Sequence, residues 1–394
     1  MRLARPSPTG RLLTPAFLLV TVATCLYFLS IGMALPVLPR YVAGPLAGSN
    51  LAVGIVAGAF GLSAVLMRPL AGRLSDRRGR RPMVVIGAAT VAASVLAYRL
   101  VDAVSPLIVL RLLNGAGEAL FFVGAASVVN DLSPDGRRGE AFSIFSLAVF
   151  TGLGAGPVIG EAILGAGGYA RVWDLAALGA LVTALLGLGL PDTRPDANAP
   201  PGPLIHRAAL VPGLLLASSV WGLAGFTTFV PLYALRLGLT GAGLVLATYS
   251  GIILAIRSFG ARIPDRFGPR RTATVSLAWS AIGLGVVAAW PAASGLFTGA
   301  GILAIGQSLA FPALMTLAVE GAPPTERGSV VATFTSFFDL SFGLGSATLG
   351  GIASALGYVG VFVGGALVAA LGFVAMVWSN RRAALTSAGA GPGR

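Results

Sequence analysis

Only 14 of the 394 residues are acidic and one is a histidine, so the few carboxylates that fall inside apolar stretches can be weighed singly. Glu118 lies in RLLNGAGEALFF, Asp339 in TFTSFFDLSF, and Glu161 at the end of GLGAGPVIGE. A charge within a bilayer costs about 2.5 to 3.5 kcal/mol on insertion scales, so such residues face an interior or a cavity. Desolvation favours the neutral form of a carboxylate, which makes each of the three a candidate proton carrier. Arg111, Gly115 and Glu118 fall along one helical face, with Asn114 one turn before Glu118. Seven residues of helix rise by about 10 Å, too far for a direct pair between Arg111 and Glu118. Asp339 stands beside Phe337 and Phe338, a setting that suits a cavity wall able to bind a cation, accept a proton or pair across the chain. The structural alternative is a pair with Arg257.

The elements that carry these residues follow from composition. The chain is 56% hydrophobic and 10% charged, against roughly a quarter charged in soluble domains, and its mean hydropathy is +0.86. An all-α membrane protein is expected, with twelve apolar spans at about 14–36, 50–70, 83–101, 105–129, 141–164, 172–190, 208–230, 241–260, 273–290, 293–319, 329–352 and 358–379. Their Gly and Pro content suits membrane helices, where small residues allow close approach. The polar start MRLARPSPTGR lacks the short apolar core of a cleaved leader, so the first span is expected to be retained. Between the sixth and seventh spans, the polar, Pro-rich stretch 191–207 divides the chain into 1–190 and 208–394.

The two parts are copies. GRLSDRRGRRP (Gly72 to Pro82) and ARIPDRFGPRR (Ala261 to Arg271) register at a constant offset of 189, which pairs Asp76 with Asp265, Arg77 with Arg266 and Gly79 with Gly268. The same offset pairs Glu118 with the uncharged Gln307. Six spans separate the copies, so both face one side of the membrane, as parallel repeats do. All 27 basic residues are Arg; 20 of them fall in segments on the side of the N-terminus and four on the other. The positive-inside rule then places both termini in the cytoplasm. This confinement to short loops argues against nucleic acid as the partner of the net charge of +13. Topology accounts for the arginines, and Arg68 and Arg257, near span ends, are expected to snorkel. It does not account for Asp76.

The first copy, with Gly72, Asp76, Arg77, Gly79, Arg80 and Arg81, closely resembles the signature between the second and third helices of the major facilitator superfamily. The resemblance implies two pseudo-symmetric six-helix bundles that rock about a midplane site, and a gating role for Asp76 against the start of the eleventh helix, near Gly328 to Ala332. A helix N-terminus attracts a carboxylate in this way. The second copy, with Asp265 and Arg266, carries Pro264 and Pro269 and departs from the pattern. Arg111, Asn114 and Gly115 are similar to the family's fourth-helix motif. Gly152, Gly156, Pro157 and Gly160 are similar to the fifth-helix motif of its proton-antiporting exporters, with Glu161 where that motif has glycine. The glycine stripe by itself predicts close helix packing.

The resemblance also implies that helices 1, 4, 8 and 10 line the cavity, so Tyr27, Trp221, Tyr249 and Gln307 join Asn114, Glu118, Phe337, Phe338 and Asp339 as candidates. The expected function is secondary transport, driven by the proton gradient without a cofactor, that exports a small lipophilic or cationic molecule from the inner membrane. The expected partners are that small molecule, protons and the lipid bilayer, with one chain as the functional unit. An uptake symporter or facilitator for a sugar, metabolite or lipid is the alternative, and a non-transporting receptor or scaffold a remote one. Catalytic and metal-binding constellations are absent from the sequence: there is one cysteine, Cys25, one histidine, His206, and no phosphate-cradling lysine loop.

Overall fold

In lipid, each segment must satisfy its own backbone hydrogen bonds, and long apolar runs do so as helices. The computed structural model describes residues 12–134, 136–193, 205–259, 266–323 and 326–389. Among them the regular structure is helical throughout: α1 Pro15–Ala43, α2 Asn50–Arg78, α3 Arg80–Ala97, α4 Val104–Leu132, α5 Arg138–Leu188, α6 Leu210–Arg236, α7 Gly243–Phe259, α8 Pro269–Ala289, α9 Ala293–Glu320 and α10 Arg327–Gly389. Nine of these are long and apolar enough to cross a membrane, and α7 is shorter. Starts are set locally: Thr14 and Ser49 each accept a backbone N–H of the first turn, at 3.2 Å in both cases.

The structure thus records ten α-helices among the described residues rather than twelve separate ones. The difference lies in α5 and α10, which run for 51 and 63 residues. A straight helix of 51 residues would extend about 76 Å, more than twice the roughly 30 Å hydrocarbon core. Both are broken at a glycine with positive φ, Gly168 at 76° and Gly357 at 74°, a conformation open to glycine with little penalty. The chain doubles back at each break. Gly156 packs on Gly32 of α1 while Gly179, beyond the break, packs on Ser30. In the same way Gly345 and Gly365 both reach residues 221–222 of α6. A glycine therefore does the work of the linker that the sequence predicts around 165–171 and 353–357.

Before residue 191, α1 packs chiefly on α5, and α2 and α3 on α4; after 205, α6 packs on α10 and α8 on α9. Three seams join these groups: α2 against α10, α5 against α7, and α1 against α6. The α2–α10 seam is a backbone contact. A Cβ at Gly61 would lie 2.7 Å from the carbonyl oxygen of Asp339, and one at Gly54 or Gly58 would come closer still to Ser346 or Gly343. At the end of the molecule that holds Asn50, the seam is closed by hydrogen bonds from Asn50 Nδ2 to the Ala353 carbonyl at 3.2 Å and from the Leu51 amide to Ser354 Oγ at 3.0 Å.

Candidate functional site

The close α2–α10 approach brings Arg68 and Asp339 together. The Arg68 guanidinium donates from Nε to Asp339 Oδ2 and from Nη2 to Asp339 Oδ1, the latter at 3.1 Å. The same Nη2 stands 3.5 Å from Glu118 Oε2 on α4, and the Phe122 ring covers the guanidinium with its centroid at 5.2 Å. Glu118 and Asp339 side chains are each 8% exposed and Arg68 is 15% exposed. One cation is therefore shared by a carboxylate from its own group of helices and one from the other group. One guanidinium balances only one ionised carboxylate, so the buried cluster is neutral only when one of the two carries a proton.

This corrects two expectations. Arg68 does not snorkel, because α2 continues to Arg78, nearly three further turns, and leaves the side chain in the interior. Asp339 does not pair with Arg257, which instead lies over the Phe150 ring at 4.4 Å, its Nε buried without a hydrogen-bond partner among the described residues. Glu118 and Arg111 are not paired, as helix rise requires. Arg68 is the residue that sequence reasoning passed over. Its signal was the same as that of Glu118, a charge inside an apolar run, discounted because the run was ended too early.

Beside the cluster is a cavity of about 80 Å3 lined by Ser30, Phe60, Tyr98, Arg111, Asn114, Thr227, Thr228 and Phe342 among others. Arg111 donates from Nε to the Val56 carbonyl at 3.1 Å and from Nη1 to Asn114 Oδ1 at 3.4 Å, and it lies over Phe60 at 4.7 Å. Asn114 Nδ2 donates to Ser94 Oγ at 2.9 Å. Gly115 admits the Phe60 backbone, which a Cβ would meet. Of the other expected wall residues, Tyr27 is buried, stacked on Phe121 at 3.7 Å. Tyr249 packs near Phe226, and Gln307 is tied to Ser219 by hydrogen bonds of 2.9 and 3.1 Å. Trp221 backs Gly345, and Phe337 fills the space over Gly213. Phe338 packs against a second core around Val330 and Phe334. None of these six lines the cavity; helical spacing gives a face, and only packing shows which neighbour takes it.

Glu161 occupies a different place, at the Asn50 end. Its Oε1 accepts the Ala242 amide at 2.7 Å and its Oε2 the Gly243 amide at 2.6 Å, at the start of α7, with Arg40 Nη1 3.8 Å away. It thus joins α5 to α7 across a seam. Gly152, Gly156 and Gly160 pack directly on residues 25–33 of α1, Pro157 buried beside them, so the stripe is a packing surface as its spacing predicts.

The basic stretch lies at the opposite end. Gly79, at φ 98°, separates α2 from α3, and a Cβ there would collide with the Asp192 carboxylate. Arg80, expected as a topological anchor, is instead buried. It donates to Asp76 Oδ1 at 2.6 Å, to Ser75 Oγ at 3.1 Å and to Asp131 Oδ2 at 3.1 Å, while Thr193 Oγ1 donates to Asp131 at 2.6 Å. Arg77 is exposed, Arg81 half-buried, and Gly72 faces open space. The Asp76 side chain is 58% exposed; its bond is to Arg80, with none to the start of α10 among the described residues. Arg266 is exposed, and Asp265 lies outside the described residues.

The sequence profile of the Major Facilitator Superfamily matches residues 20–263 and 239–392, nearly the whole chain in two segments. The chain belongs to the major facilitator superfamily. As a superfamily member it is a multi-pass membrane transporter and not an enzyme. It is 31% identical to an MFS-type transporter of Salmonella typhimurium over 363 residues, 90% of this chain and 93% of the relative. It is 30% identical to one of Burkholderia mallei over 407 aligned positions, 98% and 97% of the two chains. The fold matches the crystal structure of a POT family transporter in complex with a thioalcohol-conjugated peptide, with a TM-score of 0.80 at 13% identity, over 93% of this transporter and 96% of that chain.

Proposed function

We propose that this transporter exports a small organic molecule in exchange for protons, by alternating access between two six-helix bundles, 1–190 and 208–394. The observation that carries the reading is Arg68, held between Glu118 of its own half and Asp339 of the other. A proton on either carboxylate removes one of the charges that Arg68 balances, so protonation changes the contact between the halves. That is the requirement of coupling: the ion must have a different affinity for the two conformations. The basic end is assigned to the cytoplasm by the positive-inside rule. The Asn50 end then faces outward and is closed by the α2–α10 hydrogen bonds and by Glu161, leaving the protein poised toward the cytoplasm.

In this reading Asp76, held by Arg80 here, engages the start of α10 in the opposite state. Export rather than uptake is supported by the glycine pattern of α5, which is similar to that of proton-antiporting exporters. The membrane potential and proton gradient of an inner membrane supply the energy, and no cofactor is called for.

The test is made in everted vesicles that acidify their lumen, with an acridine dye as pH reporter. Addition of a transported compound should dissipate the gradient. Glu118→Gln and Asp339→Asn should each abolish this response while equilibrium binding of the same compound persists. Normal dissipation in both variants would remove the cluster from the coupling step.

A further inference from the structure

At the Asn50 end of the cavity, Tyr98 and Arg111 converge. The Tyr98 side chain is fully buried and lines the cavity, and its hydroxyl proton has no acceptor among the described residues. Arg111 lines the same space. Its Nε and Nη1 are spent on Val56 and Asn114, which fixes the plane of the guanidinium over Phe60. The Tyr98 hydroxyl lies against this guanidinium, which can only donate, and no carboxylate pairs with Arg111 among the described residues. Arg111 is a half-buried cation without a counter-charge, and Tyr98 is a buried hydroxyl whose proton has no acceptor. Together they describe the complement of an anion.

The other polar groups around the cavity fit this polarity. Thr227 Oγ1 donates back to the Leu223 carbonyl at 3.0 Å and Ser30 Oγ to the Leu26 carbonyl at 2.9 Å, so both are uncharged groups tied to their own helices, and no acidic side chain lines the cavity. The nearest interior acids both face Arg68 rather than Arg111: Glu118, about two helical turns from Arg111 along α4, and Asp339 of α10. Phe60, Leu35, Val91 and Phe342 complete the walls and offer an apolar slot. A planar guanidinium matches a carboxylate better than a spherical anion.

We infer that Arg111 and Tyr98 form a subsite for the carboxylate of an organic acid whose apolar body lies between Phe60 and Phe342. The inference rests on the transporter reading of this cavity, and it specifies the cargo as acidic rather than cationic. Arg111 supplies the counter-charge and Tyr98 the second donor; Asn114 is a positioning residue that holds the guanidinium through Nη1.

The subsite is tested by binding at equilibrium, without a gradient, on the purified full-length protein. A series of acids from acetate to 4-phenylbutyrate, with benzoate and its neutral isostere benzamide, is scored by thermal stabilisation and titrated by calorimetry. Aromatic acids should stabilise the protein and benzamide should not. Tyr98→Phe, which keeps the ring packing against Trp173, should weaken benzoate binding about tenfold, and Arg111→Gln about a hundredfold, the scale of hydrogen bonds to charged groups. Arg111→Lys should recover part of the loss.

Benzamide binding as tightly as benzoate, no response to any acid in the series, or unchanged affinity in the well-folded Tyr98→Phe protein would overturn the inference. Failure of the transport reading would look different: acids would bind as described, yet their addition would not dissipate a proton gradient in vesicles. Gradient dissipation by neutral or cationic compounds, with no acid bound, would retain transport and discard the subsite.

Discussion

The Arg68–Asp339 contact can be tested quantitatively by a double-mutant cycle with Arg68→Gln, Asp339→Asn and the pair combined. The two residues exchange two hydrogen bonds in a site where both side chains are at least 85% buried. Truncating one partner of a buried ion pair costs about 3 to 5 kcal/mol, because the other charge is left uncompensated. Glu118 remains 3.5 Å from Arg68, so Asp339→Asn leaves a partial counter-charge and should fall at the low end, about 3 kcal/mol. Arg68→Gln strands two carboxylates and should cost more, unless they take up protons. The double variant should be no worse than Arg68→Gln alone, which gives a coupling energy of about 2 to 3 kcal/mol. At roughly 2.1 cal/mol/K of unfolding entropy per residue, a 3 kcal/mol loss over 394 residues lowers the melting temperature by about 4 °C. The assay is thermal unfolding of the detergent-purified protein, with all four forms measured in one buffer. Additive shifts, with coupling under about 0.5 kcal/mol, would refute the claim that this contact joins the halves energetically.

Two further outcomes follow from the ends of the molecule. Glu161→Ala leaves the Ala242 and Gly243 amides without their acceptor, a capping loss of about 1 to 2 kcal/mol, and should shift the conformational equilibrium roughly 5- to 30-fold toward opening at the Asn50 end; faster maleimide labelling of a cysteine at Ala353, in a Cys25→Ser background, is the readout, and unchanged labelling would confine Glu161 to local capping. Asp76→Asn keeps the bond to Arg80 geometrically available but removes the charge, and it should slow turnover by at least tenfold while ligand affinity changes less than twofold; normal turnover would return the basic stretch to a topological role.

Much of this was legible in the chain itself. Apolar runs of about 20 residues and arginines confined to short loops were enough for an all-α membrane protein, because in lipid the backbone has few other ways to satisfy itself. Glu118 and Asp339 stood out for the same reason: a carboxylate in an apolar run is costly, so it needs a use. The glycine stripe of α5 was also correctly read as a packing face, since three glycines at intervals of four can point only one way.

What the chain alone could not decide was partnership. Arg68 is 271 positions from Asp339, and no local pattern says that the two meet; their contact depends on Gly54, Gly58 and Gly61 letting α2 touch the backbone of α10. Glu161 looked like one more titrating group, and only the placement of α7 against α5 makes it the cap of another helix. Tyr98 carried no signal, because a tyrosine near a span end is ordinary until its hydroxyl proves to be buried beside an arginine that has no carboxylate partner. Helix formation is a local property, written in hydropathy and spacing. Which charge answers which across the seam is set by the approach of distant backbones, and that is where the tertiary structure decides.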